Sequence, residues 1–200
     1  MTTVVLGLGR ETRAWLESVR DGPDGVLDPV VVLDESTAGE MAVAGRTVIV
    51  HRVDLDDPDD VRTAVAAGGG GADVTRIVRS PGIAPHRAGV AALGAATATP
   101  TGLWLGAVSP ADLVLITGTK GKSTVAAMTA HLLRAAGRRA TLAGNIGTAL
   151  TTVDPDAPRD DLVVEVSSYQ LVDLVLPRPA DAAAITTLLV DHVPWHGDVA

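Results

Sequence analysis

The sequence predicts an α/β protein: a Rossmann-like N-terminal domain followed by a P-loop-type parallel-sheet domain. Short apolar runs alternate with helical patterns along the chain, which is typical of parallel sheets. Each half also contains a strand, a glycine turn and a helix in succession, at Gly7–Gly9 and at Gly118–Gly121. Because parallel strands end at the same edge of a sheet, we expect ligand sites at their carboxyl ends.

The composition excludes several classes of protein. The 200 residues are 46% hydrophobic, carry a formal net charge of −8 and include no cysteine. Without a basic run, nucleic acid is not expected as a partner, and disulfide or cysteine–zinc chemistry is excluded. The N-terminus lacks the pattern of a signal peptide, and no apolar run reaches the length of a membrane span. We therefore expect a cytoplasmic monomer without membrane insertion.

Residues 1–100 are predicted to form the first domain. Val4–Leu6 is predicted as a strand that leads through the glycine turn into a helix at Glu11–Arg20. Thr12 stands where a dinucleotide fingerprint has its third glycine, which disfavours an NAD site. Asp34, at the end of a strand, is either a ribose ligand or a solvated carboxylate. The other predicted elements are strands at Pro29–Leu33, Arg46–Val50, Thr75–Val78 and Ala96–Thr99, and helices at Pro58–Ala67 and Arg87–Leu93.

Residues 101–200 are predicted to form the second domain, and Pro100–Pro110 is predicted as the boundary. A helical pattern after the second glycine turn stops at Gly137, a residue suited to a left-handed C-cap. Asp154–Asp161 is predicted as a polar loop. The predicted strands are Leu113–Ile116, Ala140–Ala143, Leu162–Val166 and Ala182–Val190.

The second glycine turn has the composition of a phosphate-binding loop. Glycines allow backbone N–H groups to close around phosphate oxygens, and the start of a helix adds partial positive charge. Lys122 could reach the β- and γ-phosphates, and the hydroxyl of Ser123 could bind Mg²⁺. Ile116 is a departure, since the general pattern has glycine there. The nucleotide-binding residues would be Gly118, Thr119, Lys120, Gly121, Lys122, Ser123 and Thr124.

Two residues that follow apolar runs are candidate metal ligands. Glu165 interrupts a buried strand, and a buried carboxylate is costly unless it meets a cation. That cation is either Mg²⁺ or the side chain of a lysine or arginine. His192 follows Asp191 at another predicted strand end, and it is either a ligand or an ordinary surface histidine.

Four motifs, in this order and spacing, resemble those of the Mur ligases. They are TGTKGKST at 117–124, GNIG at 144–147, VEVSSYQ at 164–170 and DHVPWHG at 191–197. The sequences GLG at 7–9 and SPGI at 80–83 resemble the members that add glutamate to UDP-N-acetylmuramoyl-L-alanine. Further details, including GRE at 9–11 and TPTGLWL at 99–105, resemble the L-glutamate-adding variant more than the D-glutamate-adding one. Thr187 departs from the family, which often has asparagine there.

The resemblance implies an ATP-dependent ligase of peptidoglycan precursor synthesis that forms an acyl phosphate before the amine attacks. Lys122 would stabilise the transferred phosphate, Ser123 and Glu165 would bind one Mg²⁺, and His192 a second. Asn145 and Ser167 would orient the substrate. The UDP part would be bound by residues of the two N-terminal loops, namely Leu8, Gly9, Arg10, Glu11, Ser80, Pro81 and Gly82.

The resemblance also implies that the second domain is incomplete as an ATPase domain. The family carries a carbamoylated lysine, an adenine pocket and a third domain beyond the position of Ala200, so we expect an N-terminal fragment that is inactive alone. Two alternatives stay open. One is a different ligase of the same superfamily, and the other is a non-catalytic module that binds a UDP-sugar or another nucleotide.

Overall fold

The computed structural model describes residues 2–19, 30–43, 45–70, 73–107, 112–154 and 156–196. The chain divides into two compact units, Met1–Pro100 and Thr101–Ala200. The predicted helix end at Arg20, the predicted strand start at Pro29 and the predicted boundary end at Pro110 lie outside the described residues.

The first unit is built on a sheet that is parallel except at one edge. Its strands are β1 (Thr2–Leu6), β2 (Val30–Asp34), β3 (Gly39–Val43), β4 (Arg46–Arg52), β5 (Val74–Arg79) and β6 (Thr97–Ala98). Its helices are α1 (Arg10–Ser18), α2 (Pro58–Ala67) and α3 (Ala88–Ala91). The strand order is β3-β4-β2-β1-β5-β6, and only the β3–β4 pairing is antiparallel.

Burial and capping explain these elements. All five residues of β1 are buried, and Val4, Leu6 and Leu33 belong to a core that β1 and β2 share with β5 and α2. Helix α2 begins where the Asp57 side chain accepts hydrogen bonds from the amides of Asp59 and Asp60. Such a cap satisfies amides that have no partner within the helix.

The second unit is a parallel sheet with the order β10-β7-β9-β8. Its strands are β7 (Asp112–Thr117), β8 (Ala140–Gly144), β9 (Asp161–Glu165) and β10 (Ala182–Ile185). Its helices are α4 (Pro100–Ala107), α5 (Lys122–Ala135), α6 (Ser168–Leu171) and α7 (Val193–His196). Central strand β7 therefore has the carboxyl ends of β9 and β10 on either side.

Helix α5 follows β7 directly and covers one face of this sheet. Ala126 and Ala130 are fully buried in a cluster with Ile116 and Val163. The helix ends as predicted: Gly137 has a φ of +84°, and its amide donates to the carbonyl of Arg134. Gly137 thus provides the left-handed turn that most side chains disfavour.

Several predicted boundaries were wrong. Pro100–Pro110 was predicted as the domain boundary, and the two units divide after Pro100, but helix α4 occupies Pro100–Ala107 because Trp104 and Leu105 are buried in the core of the second unit. Asp161, predicted in a loop, begins β9, and Arg138 pairs with its carboxylate at 2.6 Å. Strand β3 was not predicted, since its residues are mostly exposed.

The predicted strand Ala182–Val190 is shorter than expected. Pairing stops at Ile185, which lies opposite Thr117, the last residue of β7. One further backbone hydrogen bond joins the Thr186 amide to the Thr117 carbonyl. The chain then leaves the sheet because its partner strand ends at Thr117. The segment that follows β7, residues 118–121, is the phosphate loop.

The predicted fold class is confirmed, since both units are α/β and both sheets are essentially parallel. No helix in the described ranges has both the length and the apolar character needed to cross a bilayer.

Candidate functional site

The phosphate loop connects the buried end of β7 to the start of α5. Gly118 and Gly121 have φ values of +132° and +82°, which side chains rarely adopt. The ammonium of Lys122 donates to the carbonyls of Gly118 at 2.8 Å and Thr119 at 3.2 Å. Lys122 is thus folded over its own loop, while Ser123 and Thr124 are exposed at the start of the helix.

Glu165 stands beside this loop at the end of β9. It pairs in register with Ile116, two residues before Gly118. Because side chains alternate along a strand, Glu165 shares the face of Val163, which packs against α5. Glu165 is 1% exposed, and its Oε2 atom has no hydrogen-bond partner among the residues that the structure describes. A buried carboxylate oxygen without a partner is costly, so this atom fits a cation ligand.

Asn145 holds the other oxygen of this carboxylate. Its side-chain amide donates to Glu165 Oε1 at 3.2 Å, and its backbone amide donates to the Glu165 carbonyl at 2.8 Å. Gly144 makes this close approach possible, because a Cβ there would lie 2.2 Å from the Glu165 carbonyl oxygen. Asn145 itself is exposed, and its predicted contact with substrate stays a prediction.

His192 follows β10 in the chain and lies in a cluster of aromatic rings. Its ring centroid is 4.8 Å from that of Tyr169 in α6, and Trp195 and His196 pack on the same tyrosine. Its Nδ1 atom is 3.7 Å from the carboxylate of Asp191, and its φ is +54°. The predicted binding of a second Mg²⁺ by His192 stays a prediction.

Ser167 begins α6 in a reciprocal capping arrangement. Its hydroxyl accepts from the amide of Gln170, and its own amide donates to Gln170 Oε1 at 2.7 Å. The buried Gln170 in turn donates to the hydroxyl of Thr101. The hydroxyl of Ser167 therefore orients α6, and its predicted contact with substrate is untested.

In the first unit, the two predicted UDP-binding loops lie against each other. A Cβ at Gly7 would be 2.6 Å from the Ile83 side chain, and one at Gly9 would be 2.6 Å from the Ser80 hydroxyl. The Ser80 amide donates to the Leu6 carbonyl at 2.7 Å. Both loops therefore follow strand ends on one edge of the sheet, beside the start of α1 at Arg10.

Buried charged groups shape both of these loops. Asp34 accepts from the Leu8 amide at 2.8 Å and from the amides of Ser36 and Thr37. Burial alone would raise the pKa of Asp34, but these hydrogen bonds hold it below its ordinary value. Arg79 is fully buried and donates to the carbonyls of Pro81 and Ile83. Asp34 is thus a structural group of the loop rather than a solvated carboxylate.

Among the residues that the structure describes, no group of three or more histidine, cysteine, aspartate or glutamate side chains is placed to hold a metal ion. Sequence patterns did not indicate that Thr186 and Arg79 contact these loops, because isolated threonines and arginines are common in strands and loops. Thr187 was noted as a departure from the motif, but its contact with Lys120 was not predicted.

The fold and site together define a two-unit α/β protein with a phosphate loop and a buried carboxylate beside it. Residues 116–200 match the family model of the Mur ligase middle domain. Over this region, the chain is similar to the Mur ligase family.

Two relatives show how far this similarity extends. A UDP-N-acetylmuramoyl-L-alanine–L-glutamate ligase of Xanthomonas euvesicatoria pv. vesicatoria is 44% identical over 135 residues, covering 62% of this chain and 29% of the relative. A UDP-N-acetylmuramoylalanine–D-glutamate ligase of Jannaschia sp. is 33% identical over 210 aligned positions, covering 97% of this chain and 42% of the relative. The chain thus spans less than half the length of these curated relatives.

A solved structure has a similar fold. The chain matches the UDP-N-acetylmuramate:L-alanyl-gamma-D-glutamyl-meso-diaminopimelate ligase from Neisseria meningitides with a TM-score of 0.50 and 16% identity. The match covers 99% of this chain and 64% of that one. At this identity, the likeness concerns the fold.

Proposed function

We propose that this chain carries the UDP-sugar-binding and part of the ATP-binding machinery of a glutamate-adding Mur ligase. The reaction would join glutamate to UDP-N-acetylmuramoyl-L-alanine through an acyl phosphate, at the expense of ATP. The first unit, residues 1–100, would bind the UDP-sugar, and the second, residues 101–200, would bind ATP. Such chemistry depends chiefly on positioning the reactants and neutralising phosphate charge.

The observation that carries this proposal is the unpartnered oxygen of Glu165 beside the phosphate loop. A buried Oε2 without a hydrogen bond is unfavourable in the protein alone and becomes favourable next to a cation. Ser123 and Glu165 would hold Mg²⁺, which would neutralise the phosphate charge that develops during transfer. The ammonium of Lys122 would replace its hydrogen bonds to the carbonyls of Gly118 and Thr119 with hydrogen bonds to phosphate oxygens.

The first unit supports binding of an anionic ligand at its loop pair. Helix α1 begins at Arg10 after Gly9, and the first amides of a helix carry partial positive charge that favours an anion. Asp34 and Arg79 hold the two loops through hydrogen bonds inside the chain, which leaves the loops preformed. The diphosphate of the UDP-sugar would lie at these amides.

The L-glutamate variant is the better proposal. The L-glutamate-adding relative of Xanthomonas reaches 44% identity over its aligned region, compared with 33% for the D-glutamate-adding relative of Jannaschia over a longer one. Sequence details of the two N-terminal loops point the same way.

Calorimetric titration of the 200-residue chain tests the proposal. We expect UDP-N-acetylmuramoyl-L-alanine to bind and NAD not to bind, and we expect ATP to bind only with Mg²⁺. Binding of NAD in place of the UDP-sugar would instead indicate a dinucleotide-binding module. Binding of the UDP-sugar with no affinity for Mg·ATP would favour the second candidate, a non-catalytic UDP-sugar-binding module.

A further inference from the structure

Two threonines that follow β10 contact the backbone of a single residue of the phosphate loop, Lys120. The hydroxyl of Thr186 donates to the Lys120 carbonyl at 2.5 Å. The hydroxyl of Thr187 accepts from the Lys120 amide at 2.8 Å and lies 3.1 Å from the same carbonyl. Both backbone polar groups of Lys120, the amide and the carbonyl, are therefore held by side chains that follow another strand.

Further bonds join the same two segments. The Thr119 amide donates to the Thr187 carbonyl at 2.9 Å, and the Thr119 hydroxyl accepts from the Leu189 amide at 3.0 Å. Packing is equally close at Gly118, where a Cβ would lie 2.4 Å from the Thr186 hydroxyl. The loop and the segment 186–189 thus form one hydrogen-bonded unit.

These bonds divide the amides of the loop into two groups. The amides of Thr119 and Lys120 are used within the chain. The first helical bond of α5 runs from the Val125 amide to the Gly121 carbonyl, so the amides of Lys122, Ser123 and Thr124 precede it. Amides at this position have no partner within a helix and are suited to phosphate oxygens.

We propose that Thr186 and Thr187 are positioning residues that hold the Lys120 peptide, and thereby preform the phosphate loop for its nucleotide. A loop that is already ordered loses less conformational freedom when it binds, which raises affinity. The segment that begins at Thr186 continues to His192, the candidate second metal ligand. Hydrogen bonds of Thr186 and Thr187 to the loop therefore fix the start of that segment. The proposal rests on the proposed function only for its nucleotide readout.

The experiment compares Thr187→Val, which removes the hydroxyl, with Thr187→Ser, which keeps it. For Thr187→Val we expect Mg·ATP affinity to fall about tenfold, because a net hydrogen bond of about 1.4 kcal/mol corresponds to that factor. We expect Thr187→Ser to stay within about twofold of the wild type. Thr152→Val is the matched control, since its hydroxyl bonds only locally to the Ala149 carbonyl in the same unit.

A second measurement, hydrogen exchange of the nucleotide-free chain, does not depend on ATP binding. Thr187→Val should accelerate exchange of the Lys120 amide about tenfold, by the same conversion. The Thr119 amide should change less, because its acceptor is the backbone carbonyl of residue 187. Unchanged Lys120 exchange in Thr187→Val would overturn the proposal, as would an equal loss of affinity in Thr187→Ser.

Thr186→Val provides a second test if Thr187→Val does not fold, since it removes the other bond to the Lys120 carbonyl. A wild-type chain that fails to bind Mg·ATP would contradict the proposed function, whereas the exchange data would still decide the role of the two threonines.

Discussion

The two glycine loops of this chain differ in how the chain satisfies the charged groups beside them. In the first unit, Asp34 receives three backbone amides, and Arg79 donates to two backbone carbonyls. In the second unit, Glu165 accepts one side-chain amide on Oε1, and within the described part of the chain Oε2 has no partner. Asp34 and Arg79 stabilise the geometry of the first loop through hydrogen bonds inside the protein. Glu165 has an oxygen that a bound cation could contact.

This difference separates structural charges from binding charges. A buried carboxylate with complete hydrogen bonding has little to gain from a cation, but one with a free oxygen gains substantially. On this criterion, Asp34 is a structural group, and Glu165 fits the proposed cation site.

The largest effect is expected for Gly118→Ala. The new Cβ would lie 2.8 Å from the backbone carbonyl oxygen of Thr187, at a φ of +132°. Backbone atoms cannot move aside as a flexible side chain can, so the loop must open, and we expect Mg·ATP binding to become undetectable by calorimetry. Gly137→Ala is the control: it also has a positive φ, but it has open space and should only lower stability, by about 1 kcal/mol. Retained affinity in Gly118→Ala would contradict the loop geometry.

A smaller loss of Mg·ATP affinity is expected for Lys122→Met, which nearly keeps the length of the side chain but removes its charge. A hydrogen bond to a charged group contributes about 1.5–3 kcal/mol, so Mg·ATP affinity should fall by roughly ten- to 150-fold. Fluorescence titration with a labelled ATP measures this change. An affinity within twofold of the wild type would remove Lys122 from phosphate binding, and UDP-sugar affinity in the first unit should not change in either case.

The smallest effect is expected for Asp34→Asn in the first unit. Asparagine retains one acceptor, so it can hold the Leu8 amide or the amides of Ser36 and Thr37, but not both sets. We expect UDP-sugar affinity to fall about three- to tenfold at pH 7, consistent with the loss of about 1 kcal/mol. Calorimetry of both units separates this effect, because Mg·ATP binding should be unaffected. An equal fall in the affinities for Mg·ATP and for the UDP-sugar would contradict the assignment of Asp34 to the loop of the first unit.

The contribution of Asp34 to folding stability should decrease as the pH falls. The pKa of Asp34 is lowered in the folded protein, so its stabilising contribution is present above the unfolded pKa of about 4 and is lost as pH falls through the folded value. The melting temperatures of the wild type and Asp34→Asn should therefore converge below about pH 4. A constant difference from pH 7 to pH 3 would show that the carboxylate charge is irrelevant to the loop.

The sequence predicted the elements that local patterns determine. Pro58–Ala67 was predicted with its observed bounds, because an aspartate cap and a proline at the first turn mark its start. The end of α5 at Gly137 was likewise predictable from glycine's tolerance of positive φ. The phosphate loop was recognisable for the same reason.

Long-range contacts account for what the sequence did not predict. Strand β10 stops at Ile185 because β7 turns away, and the threonine hydroxyls that follow then meet Lys120, 66 or 67 positions earlier. No periodicity in the sequence contains that information. Similarly, Glu165 could be identified as a buried carboxylate, but the sequence left open whether a lysine, an arginine or a metal ion satisfied it.

Thermal unfolding of Glu165→Gln, with and without Mg·ATP, tests the central claim most directly. We expect this variant to melt several degrees above the wild type without ligand, since burying a neutral amide costs less than burying a charge, and about 1 kcal/mol shifts a domain of this size by roughly 4–8 °C. With Mg·ATP, the wild type should gain stability and the variant should gain little. Glu17→Gln, an exposed glutamate in α1, should change neither value. A variant that melts lower than the wild type without ligand, and gains equally from Mg·ATP, would contradict a cation-binding role for Glu165.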